Sequence, residues 1–469
     1  MSFKKHNIKK GSNVFSNIIG VLAICIIVVI AIIVLKHMKI FIFNIGANSN
    51  QIDDIVYGEG EEIDQLKEKQ NANKINILLV GRGGGFHDAP DLTDTIILAS
   101  LDKKKNLISM LSLPRDLYVE YDEVESGKLN GIYAKNYYAT KSKEKGMNAL
   151  SKKVSQITGE KVDYFLNVDF NGFTKVIDAL GGIEIHIPKN FVDDKYPDNN
   201  WGYKTLVFRK GTWNFSGDNA LKYARSRHST SDFDRSLRQQ QVISGIKKRI
   251  VEADYLTSPS QLKEFYSLYN KYVFTDIGLT DLLDFYPVLK EFKKYKMLSY
   301  NINDSCFYGS NTCEKGGFLY IPERSLYGGM SVLLLDGTDK EALNKYGIFQ
   351  KYSNQIYNHQ EFFIENAKVN VFNSLKVNNL AGILSNEIVR YGFHMPKYNS
   401  IGNTPQLYQN STIYYNNISE NSETIKYLKT FFQGEMIKTD FPKYSKQEDT
   451  KIEIIIGEDY LENNNVFQF

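Results

Sequence analysis

Four arginines and a glutamine lie close together in the segment 217–241, which reads GDNALKYARSRHSTSDFDRSLRQQQ. They are Arg225, Arg227, Arg235, Arg238 and Gln239. The first two leave the same face if their segment is extended, and the last three share one face of a predicted helix. That face continues as an apolar stripe, so cations at its start need an anionic partner. Because guanidinium groups bind phosphate and carboxylate oxygens in pairs, the segment predicts either an anion site or an ion-pair network with nearby aspartates.

A second group of polar residues lies upstream, where predicted strands begin or end. Asp94 precedes the apolar part of DLTDTIILAS, and Arg115 follows a strand in LSLPRDLYV. Lys128 and Asn130 lie in KLNGIY. Ligands of open α/β sheets bind at such strand ends, where a carboxylate can hold Mg²⁺ while arginines hold phosphate oxygens. The alternative interpretation is structural: Asp94 caps a turn and Arg115 pairs with Asp116.

Apolar periodicity predicts the elements that would position these residues. Residues 75–80 form an apolar run that stops in a glycine-rich loop, which is typical of a buried strand. Further strands are predicted at 95–100, 107–113, 162–168 and 183–187, with helices at 147–157 and 171–180 and a mainly helical segment at 258–300. Strands interleaved with helices predict an α/β fold with a central sheet covered by helices. Strands at 369–371, 412–415 and 451–456 with helices at 380–391 and 424–432 predict a second, small α/β domain.

The composition limits the possible functions. A chain of 469 residues is long enough for two or three domains with cores of their own. Lys and Arg number 57 against 54 Asp and Glu, a net charge of +3. So small an excess argues against bulk electrostatic binding of nucleic acid.

The N-terminal sequence predicts a membrane anchor. Four lysines among the first ten residues precede an uninterrupted apolar run from Ile18 to Leu35. As a helix this run rises about 27 Å, close to the thickness of the hydrocarbon core of a bilayer. The basic flank predicts a cytoplasmic N-terminus and an extracytoplasmic remainder. A cleaved signal peptide is the alternative.

Two cysteines bracket a short polar loop downstream. Cys306 and Cys313 are separated by FYGSNT. In an oxidising compartment they could form a local disulfide, and the sequence leaves open whether they are bonded.

The order of motifs resembles the LytR-CpsA-Psr family of extracytoplasmic glycopolymer transferases. The resemblance spans residues 74–252 and rests on NILLVG, TDTIILAS, SLPRDLYV, LNGIYA, DYFLNVDFNGFTKVIDALGGIEIHIP, GDNALKYARSR and DRSLRQQQVI in that order. Residues 366–456, with KVNVFNSLKVNNLAGILSNEIVRYGF, resemble the LytR-type C-terminal domain of the family. The resemblance implies a membrane-anchored α/β/α domain with a central mixed sheet.

The resemblance divides the chain into seven parts. They are a cytoplasmic tail (1–17), a transmembrane helix (18–35), a stalk (36–73), a catalytic domain (74–302), an irregular connector (303–364), a C-terminal α/β domain (365–457) and a tail (458–469).

The resemblance also implies a reaction and its residues. Members transfer a glycan from an undecaprenyl-pyrophosphate carrier to a cell-wall acceptor, typically peptidoglycan; a surface-protein acceptor is the alternative. Asp94 would bind Mg²⁺ or Mn²⁺ beside the pyrophosphate or act near it. The catalytic residues implied are Asp94, Arg115, Arg225 and Arg227. The pyrophosphate would be held by Arg115, Arg225, Arg227, Arg235, Arg238 and Gln239. Such a cage neutralises charge that develops on the departing lipid phosphate.

Two positions depart from the family pattern. Gly83 stands where the family usually carries Asp, and Leu92 stands where it usually carries Arg. His87, Asp88 and Asp91 lie in the same loop and are candidates to substitute for the missing groups, with the two aspartates as possible metal ligands.

Two other functions are consistent with the sequence. One is a pyrophosphatase that releases the carrier lipid with water as acceptor. The other is a non-catalytic envelope protein that retains prenyl pyrophosphates, which the two departures favour. The products of a turnover assay distinguish all three.

Overall fold

The computed structural model describes residues 73–85, 89–198, 202–226, 232–253, 272–277, 291–302, 306–307, 312–313, 317–396, 401–440, 442–445, 449–461 and 466–467. Within these ranges no helix is long and apolar enough to cross a membrane. The predicted transmembrane helix at 18–35 lies outside them.

In chain order the strands are β1 (Lys74–Arg82), β2 (Thr93–Asp102), β3 (Leu107–Ser112), β4 (Tyr118–Glu120), β5 (Ser126–Lys128), β6 (Tyr164–Asp169), β7 (Ile183–Ile187), β8 (Phe191–Pro197), β9 (Tyr203–Phe208), β10 (Gly211–Phe215), β11 (Val273–Thr275), β12 (Lys296–Asn301), β13 (Cys306–Phe307), β14 (Thr312–Cys313), β15 (Leu319–Tyr320), β16 (Leu334–Leu335), β17 (Val369–Asn373), β18 (Ile401–Asn403), β19 (Thr412–Asn416), β20 (Glu435–Thr439) and β21 (Ile452–Ile456). The helices are α1 (Gly131–Thr140), α2 (Lys143–Thr158), α3 (Phe170–Ala179), α4 (Gly217–Arg225), α5 (Asp232–Ala253), α6 (Gly347–Asn358), α7 (Gln360–Glu365), α8 (Leu380–Arg390) and α9 (Glu423–Phe431).

The chain forms two compact units, and each is described by itself. Described residues of 73–115, 129–154 and 161–301 form the first unit. Those of 116–128, 155–160 and 302–467 form the second.

A six-stranded mixed sheet forms the centre of the first unit, in the order β11-β6-β1-β2-β3-β12. Strand β1 pairs antiparallel with β2 and parallel with β6, and β3 pairs parallel with β12. Strands β2 and β3 are nearly continuous apolar runs and are buried along most of their length. This is the pattern of strands that are covered on both faces.

Helices lie on both faces of this sheet. Leu166 of β6 belongs to a core that includes Val242 of α5. Its neighbour Asn167 points to the opposite face, where its Nδ2 lies 3.3 Å from Met147 Sδ of α2. The arrangement confirms the predicted α/β fold with a central mixed sheet.

The second unit contains a five-stranded sheet of order β18-β17-β21-β19-β20. Strand β17 pairs parallel with β18 and β21, β19 pairs parallel with β20, and β19 pairs antiparallel with β21. Helices α8 and α9 share a core with this sheet through Leu384, Ile388, Ile425 and Leu428.

The two predicted cysteine positions face each other in this unit. Cys306 and Cys313 are register partners in the antiparallel pair β13–β14. Their side chains lie outside the described part of the structure, so the disulfide stays a prediction.

Two segments differ from the sequence prediction. Residues 296–301, within a stretch expected to be mainly helical, form the edge strand β12 because pairing with β3 decides their conformation. Residues 303–364, to which the sequence assigned no fold, contain α6 and α7. Helix α6 buries Phe349, Tyr352 and Ile356 at helical spacing, but the Asn and Gln residues between them weaken the apolar signal.

Candidate functional site

The Asp94 carboxylate forms an ion pair with Arg115. Arg115 Nη1 lies 2.6 Å from Asp94 Oδ1, and the two side chains are 20% and 26% exposed. The register between β1 and β2 shifts at Gly81 and Arg82, which makes Asp94 the extra residue of a β-bulge. Bulges redirect side chains and are frequent beside active sites. Both groups are therefore held in place while remaining accessible to a ligand.

The backbone of one residue, Asn130, links the two segments that carry this ion pair. Asn130 N donates to Arg115 O at 3.1 Å, and Asn130 O accepts from Thr93 N at 3.2 Å. The Thr93 hydroxyl donates to the same carbonyl at 3.2 Å. Asn130, a predicted site residue, thus lies at the site and acts there through its backbone.

Lys128, the other residue predicted from KLNGIY, belongs to the second unit. It lies on the β4–β5 pair, and its Nζ donates to Asp116 Oδ1 at 2.6 Å. Asp116 thus pairs with Lys128, while Arg115 pairs with Asp94. The Arg115–Asp116 pairing considered as an alternative is therefore replaced by two other pairs.

An apolar cavity lies between the sheet and the helices of the first unit. Its volume is about 220 Å³, and it is partly open to solvent. The sheet contributes Ile97, Ala99, Met110 and Leu166, and the helices contribute Leu221, Val242, Ile243 and Ile246. The polar residues among its lining include Thr95, Asp169, Arg225 and Gln239.

Three of these polar residues mark one end of the cavity. Thr95 and Val168 both pair with Gly81, so Thr95 lies beside the end of β6 that carries Asp169. The Arg225 guanidinium lies 4.4 Å from the ring centroid of Phe170, the next residue. Along β2, Ala99 lies about 13 Å beyond Thr95, in the apolar part of the cavity.

Arg225 reaches the cavity from the end of a helix. It is the last residue of α4, and the chain becomes extended only at Ser226, so the extended arrangement considered from the sequence does not apply to Arg225. Its Nη1 donates to the Tyr196 hydroxyl at 3.2 Å. Burial raises the pKa of Tyr196, and the nearby Arg225 partly opposes this shift.

Helix α5 presents one face to the cavity. Gln239, Val242, Ile243, Ile246 and Lys247 follow the spacing of a single helical face. Gln239 therefore lies where the sequence predicted, at the start of the apolar stripe.

The two arginines that precede Gln239 on α5 are buried. Arg235 and Arg238 are each 5% exposed. Arg238 donates to the Ser226 carbonyl oxygen, and its guanidinium lies 5.0 Å from the Phe191 ring centroid. Through these contacts Arg238 holds the segment that follows Arg225. The sequence prediction did not include this structural role.

Sequence reasoning missed Asp169 and Arg82 as site residues. Asp169 lines the cavity and caps α3, since its Oδ1 accepts from Gly172 N at 2.8 Å. Arg82 Nη2 lies 3.8 Å from Asp169 Oδ2. The sequence signal that could have indicated Asp169 was the glycine-rich loop after β1. A Cβ on Gly84, whose φ is +64°, would lie 2.5 Å from Asp169 Cβ. Only glycine allows this close approach.

Asp91, a possible metal ligand in the sequence analysis, has contacts at both carboxylate oxygens. Arg82 Nη1 lies 3.4 Å from Oδ1, and the Tyr138 hydroxyl donates to Oδ2 at 2.7 Å. This hydrogen bond raises the pKa of Tyr138. Arg82 and Asp91 each lie one residue before a position where the chain departs from the family pattern, Gly83 and Leu92.

Some predicted residues lie outside the described structure. They are Arg227, His87 and Asp88. In the part of the chain that the structure describes, no group of three or more His, Cys, Asp or Glu is arranged to hold a metal ion. The accessible Asp94 carboxylate nevertheless fits Mg²⁺, because Mg²⁺ commonly takes one or two carboxylates and completes its shell with water and ligand phosphates.

The first unit is an α/β domain with an apolar cavity whose lining includes a guanidinium and an amide. The chain belongs to the LytR_cpsA_psr (LytR-CpsA-Psr) family, whose model matches residues 40–330. A second model, described as LytR cell envelope-related transcriptional attenuator, matches residues 366–460. The family resemblance read from the sequence is thereby confirmed.

Three curated relatives show what the chain is similar to. It is 29% identical over 221 residues to the polyisoprenyl-teichoic acid–peptidoglycan teichoic acid transferase TagV of Bacillus subtilis, covering 46% of this chain and 53% of that protein. It is 30% identical to the transferase TagU of Bacillus cereus, covering 39% and 55%. It is 28% identical to the cell wall biosynthesis protein LcpA of Corynebacterium glutamicum, covering 40% and 38%. The chain thus spans about half or less of the length of these relatives.

Solved structures also match. The crystal structure of B. subtilis TagV is 23% identical with a TM-score of 0.44, covering 61% of this chain and 98% of that one. TagT bound to LIIa-WTA is 20% identical with a TM-score of 0.41, covering 62% and 92%.

Proposed function

We propose that the chain is an extracytoplasmic phosphotransferase that moves a glycopolymer from a polyprenyl pyrophosphate carrier to a cell-wall or cell-surface acceptor. The observation that carries this proposal is the cavity of the first unit, which is apolar along its length and has Thr95, Asp169 and Arg225 at one end. A prenyl chain gains free energy by leaving water for such a cavity. The relatives' names, which specify transfer of teichoic acid to peptidoglycan, support the same reaction.

The transferred group defines which bond breaks. A hydroxyl oxygen of the acceptor attacks the phosphorus nearer the glycan, and the bond from that phosphorus to the bridging oxygen breaks. Prenyl phosphate leaves, and the hydroxyl proton is released to solvent. The glycan is then joined to the acceptor through a phosphodiester.

The chain's own cations suit this step. Arg225 lines the cavity, and its guanidinium lies 4.4 Å from the centroid of the Phe170 ring. The segments of Arg115 and Asp94 are linked by hydrogen bonds from the Asn130 backbone to Arg115 and to Thr93. Preorganised donors of this kind stabilise the charge that develops on phosphate oxygens. We assign Arg115, Arg225 and Gln239 to the pyrophosphate, with Arg227 and Arg235 as further candidates.

We assign Asp94 as the ligand of Mg²⁺ or Mn²⁺, because it is an accessible carboxylate beside a phosphate-binding arginine. The metal, when bound, neutralises phosphate charge. The Arg82–Asp91 pair supplies a cation and a carboxylate close to the two positions where the family residues are absent.

We also propose that residues 18–35 anchor the chain in the membrane with the main domains outside. The apolar run and its basic flank support this topology. An anchored domain meets a lipid-borne donor at the membrane surface.

The test is transfer by the full chain in detergent, supplied with a polyprenyl-pyrophosphate glycan and purified wall. We expect glycan attached to the wall, and we expect Arg225→Ala to lower the rate by at least about 100-fold. Lys248→Ala, an exposed cation of α5 that pairs with Glu184, is the matched control and should keep the rate. Free glycan phosphate as the main product would identify a pyrophosphatase instead, and tight donor binding without turnover would identify a retention protein.

A further inference from the structure

We infer that the second unit carries a saccharide-binding cleft, which holds a glycan strand of the acceptor. The inference rests on the proposed function in naming that acceptor as wall carbohydrate. The cleft has a volume of about 370 Å³. Six of the residues that line it are Lys351, Asn354, His359, Tyr427, Thr430 and Phe431.

Two helices present these residues at helical spacing. Lys351 and Asn354 are three residues apart on α6. Tyr427, Thr430 and Phe431 fall at i, i+3 and i+4 on α9. Residues at these intervals share one face of a helix. The cleft is therefore built from regular elements rather than from loops.

Buried contacts hold both helices in position. Helix α6 buries Phe349, Tyr352 and Ile356. Helix α9 begins at a doubly capped end: the Ser422 side chain accepts from Ile425 N, and the Glu365 carboxylate accepts from Thr424 N at 2.8 Å. Such caps stabilise a helix end, so the cleft is formed before a ligand arrives.

An aromatic wall gives the cleft its apolar surface. Tyr427 stacks on Phe393 with ring centroids 5.5 Å apart and an interplanar angle of 19°. It meets Phe431 edge to face at 5.6 Å. Tyr427 is half-buried and lines the cleft, whereas Phe393 and Phe431 are buried and hold its ring in place. Rigid aromatic rings pack against the C–H faces of a sugar without loss of side-chain entropy.

Polar groups of several kinds surround this wall. Lys351, Asn354 and Thr430 are exposed and supply an ammonium, an amide and a hydroxyl. His359 supplies an imidazole, whose Nδ1 lies 3.4 Å from Glu423 Oε2. The Thr430 hydroxyl donates to Tyr427 O at 2.7 Å, and Asn354 Oδ1 accepts from Asn358 Nδ2 at 2.6 Å. A polyhydroxylated ligand would therefore donate to Thr430 Oγ1 and accept from the Asn354 N–H groups.

The charges of the cleft narrow the ligand class. Among the described residues that line it there is a lysine and no carboxylate. The Glu423 carboxylate, which contacts His359, also pairs with Lys426, so the net charge at the cleft is small and neutral or weakly anionic ligands are accommodated. An aromatic wall with mixed donors and acceptors and a positive rim fits an N-acetylated or carboxylated saccharide of the wall, and its volume is in the range of small-molecule sites.

The test is calorimetric titration of the full chain in detergent with chitotetraose, the β-1,4-linked tetramer of N-acetylglucosamine. We expect saturable binding, and we expect Asn354→Ala and Lys351→Ala each to weaken it by about three- to tenfold. Lys429→Ala changes an exposed lysine of α9 next to Thr430 that does not line the cleft. This control should bind as the unaltered chain does.

Three results would overturn the inference: no binding by the unaltered chain, equal binding by the Asn354 and Lys351 variants, or displacement of the tetramer by a glycerol phosphate oligomer. The last would assign the cleft to the transferred polymer. Failure of the proposed function is distinguishable, because Arg225→Ala should lose transfer while binding chitotetraose normally. If Arg225→Ala keeps transfer, the proposed site is wrong while the cleft stands.

Discussion

At the scale of single residues, a substitution in the Arg82–Asp91 pair tests whether this pair compensates for the Asp and the Arg that the family usually carries at positions 83 and 92. We expect Asp91→Asn to lower Mg²⁺-dependent turnover by about tenfold, because Arg82 would lose a half-buried charged partner. Turnover measured against Mg²⁺ concentration checks this. Tyr138→Phe removes only the hydroxyl that contacts Asp91 and should have a smaller effect. Equal turnover of Asp91→Asn and the unaltered chain would show that the pair has no part in the reaction.

A tyrosine of the second unit should titrate near physiological pH. Burial alone would raise the pKa of Tyr408, but hydrogen bonds from Tyr444 and Lys443 outweigh it and lower the pKa from 10.0 to about 8. Because the folded pKa lies below the unfolded one, the stability that Tyr408 contributes increases from pH 8 to pH 10 and is lost as the pH falls through 8.

Absorbance of tyrosinate at increasing pH checks this titration. We expect a transition near pH 8 that is absent in Tyr408→Phe. We also expect the free energy of unfolding of the unaltered chain to increase between pH 8 and pH 10 relative to that variant. The pKa of Tyr444, raised to about 12 by burial and by its bond to Tyr408, opposes this increase only above pH 10. A flat difference between the two proteins would contradict the expectation.

Sequence reasoning at this scale predicted positions but not partners. It placed Asp94 and Arg115 near strand ends and Gln239 on a helix face, and the structure has them there; their roles stay predictions. Strand register decides that Asp94 is the extra residue of a bulge, and register depends on packing between distant segments. Arg82 was missed because its contacts to the cavity side, Asn167 and Asp169, lie 85 or more residues away, and its nearer partner Asp91 lies in a loop without a regular pattern.

At the scale of elements, the contact between α3 and α4 depends on one glycine. A Cβ on Gly217 would lie 2.1 Å from the Thr174 carbonyl oxygen. We expect Gly217→Ala to lower the free energy of unfolding by about 1–3 kcal/mol, since the two helices must separate. Thermal or denaturant unfolding of the full chain measures this change.

Gly347 offers the matched control. It is likewise the first residue of a helix, α6, and a Cβ there would meet nothing within 4 Å. Gly347→Ala should be neutral or slightly stabilising, because alanine reduces the entropy of the unfolded chain. If both variants lost stability equally, the close approach of α4 to α3 would not be the cause.

The elements themselves were predicted well wherever apolar runs were continuous. Strands β1, β2, β3 and β7 and helices α3, α8 and α9 lie where the periodicity placed them, with ends shifted by a few residues. The antiparallel pair β8–β9 was missed because FVDDKYP mixes charged and apolar residues without strict alternation. Its conformation is set by pairing with β9, which a local pattern does not report.

At the scale of the whole molecule, the cavity should set the affinity for the carrier lipid. We expect Ile243→Trp, which fills part of the cavity from α5, to weaken binding of long-chain prenyl pyrophosphates by at least about tenfold. Inorganic pyrophosphate should bind as before, since it needs only the polar end. Leu237→Trp changes a residue of the same helix that is 47% exposed and outside the cavity lining. It should leave both affinities unchanged, and equal effects of the two variants would rule out the cavity as the lipid site.

The Asn130 backbone accepts a hydrogen bond from Thr93 N through its carbonyl and donates one to Arg115 O through its N–H, so main-chain contacts set the separation between the segments of Asp94 and Arg115. Side-chain replacement at 130 by alanine keeps both backbone bonds, whereas proline lacks the N–H that reaches Arg115. A separation that is set by backbone hydrogen bonds does not change when a neighbouring side chain is replaced. The distance between Asp94 and Arg115 should therefore persist while the side chains around them diverge.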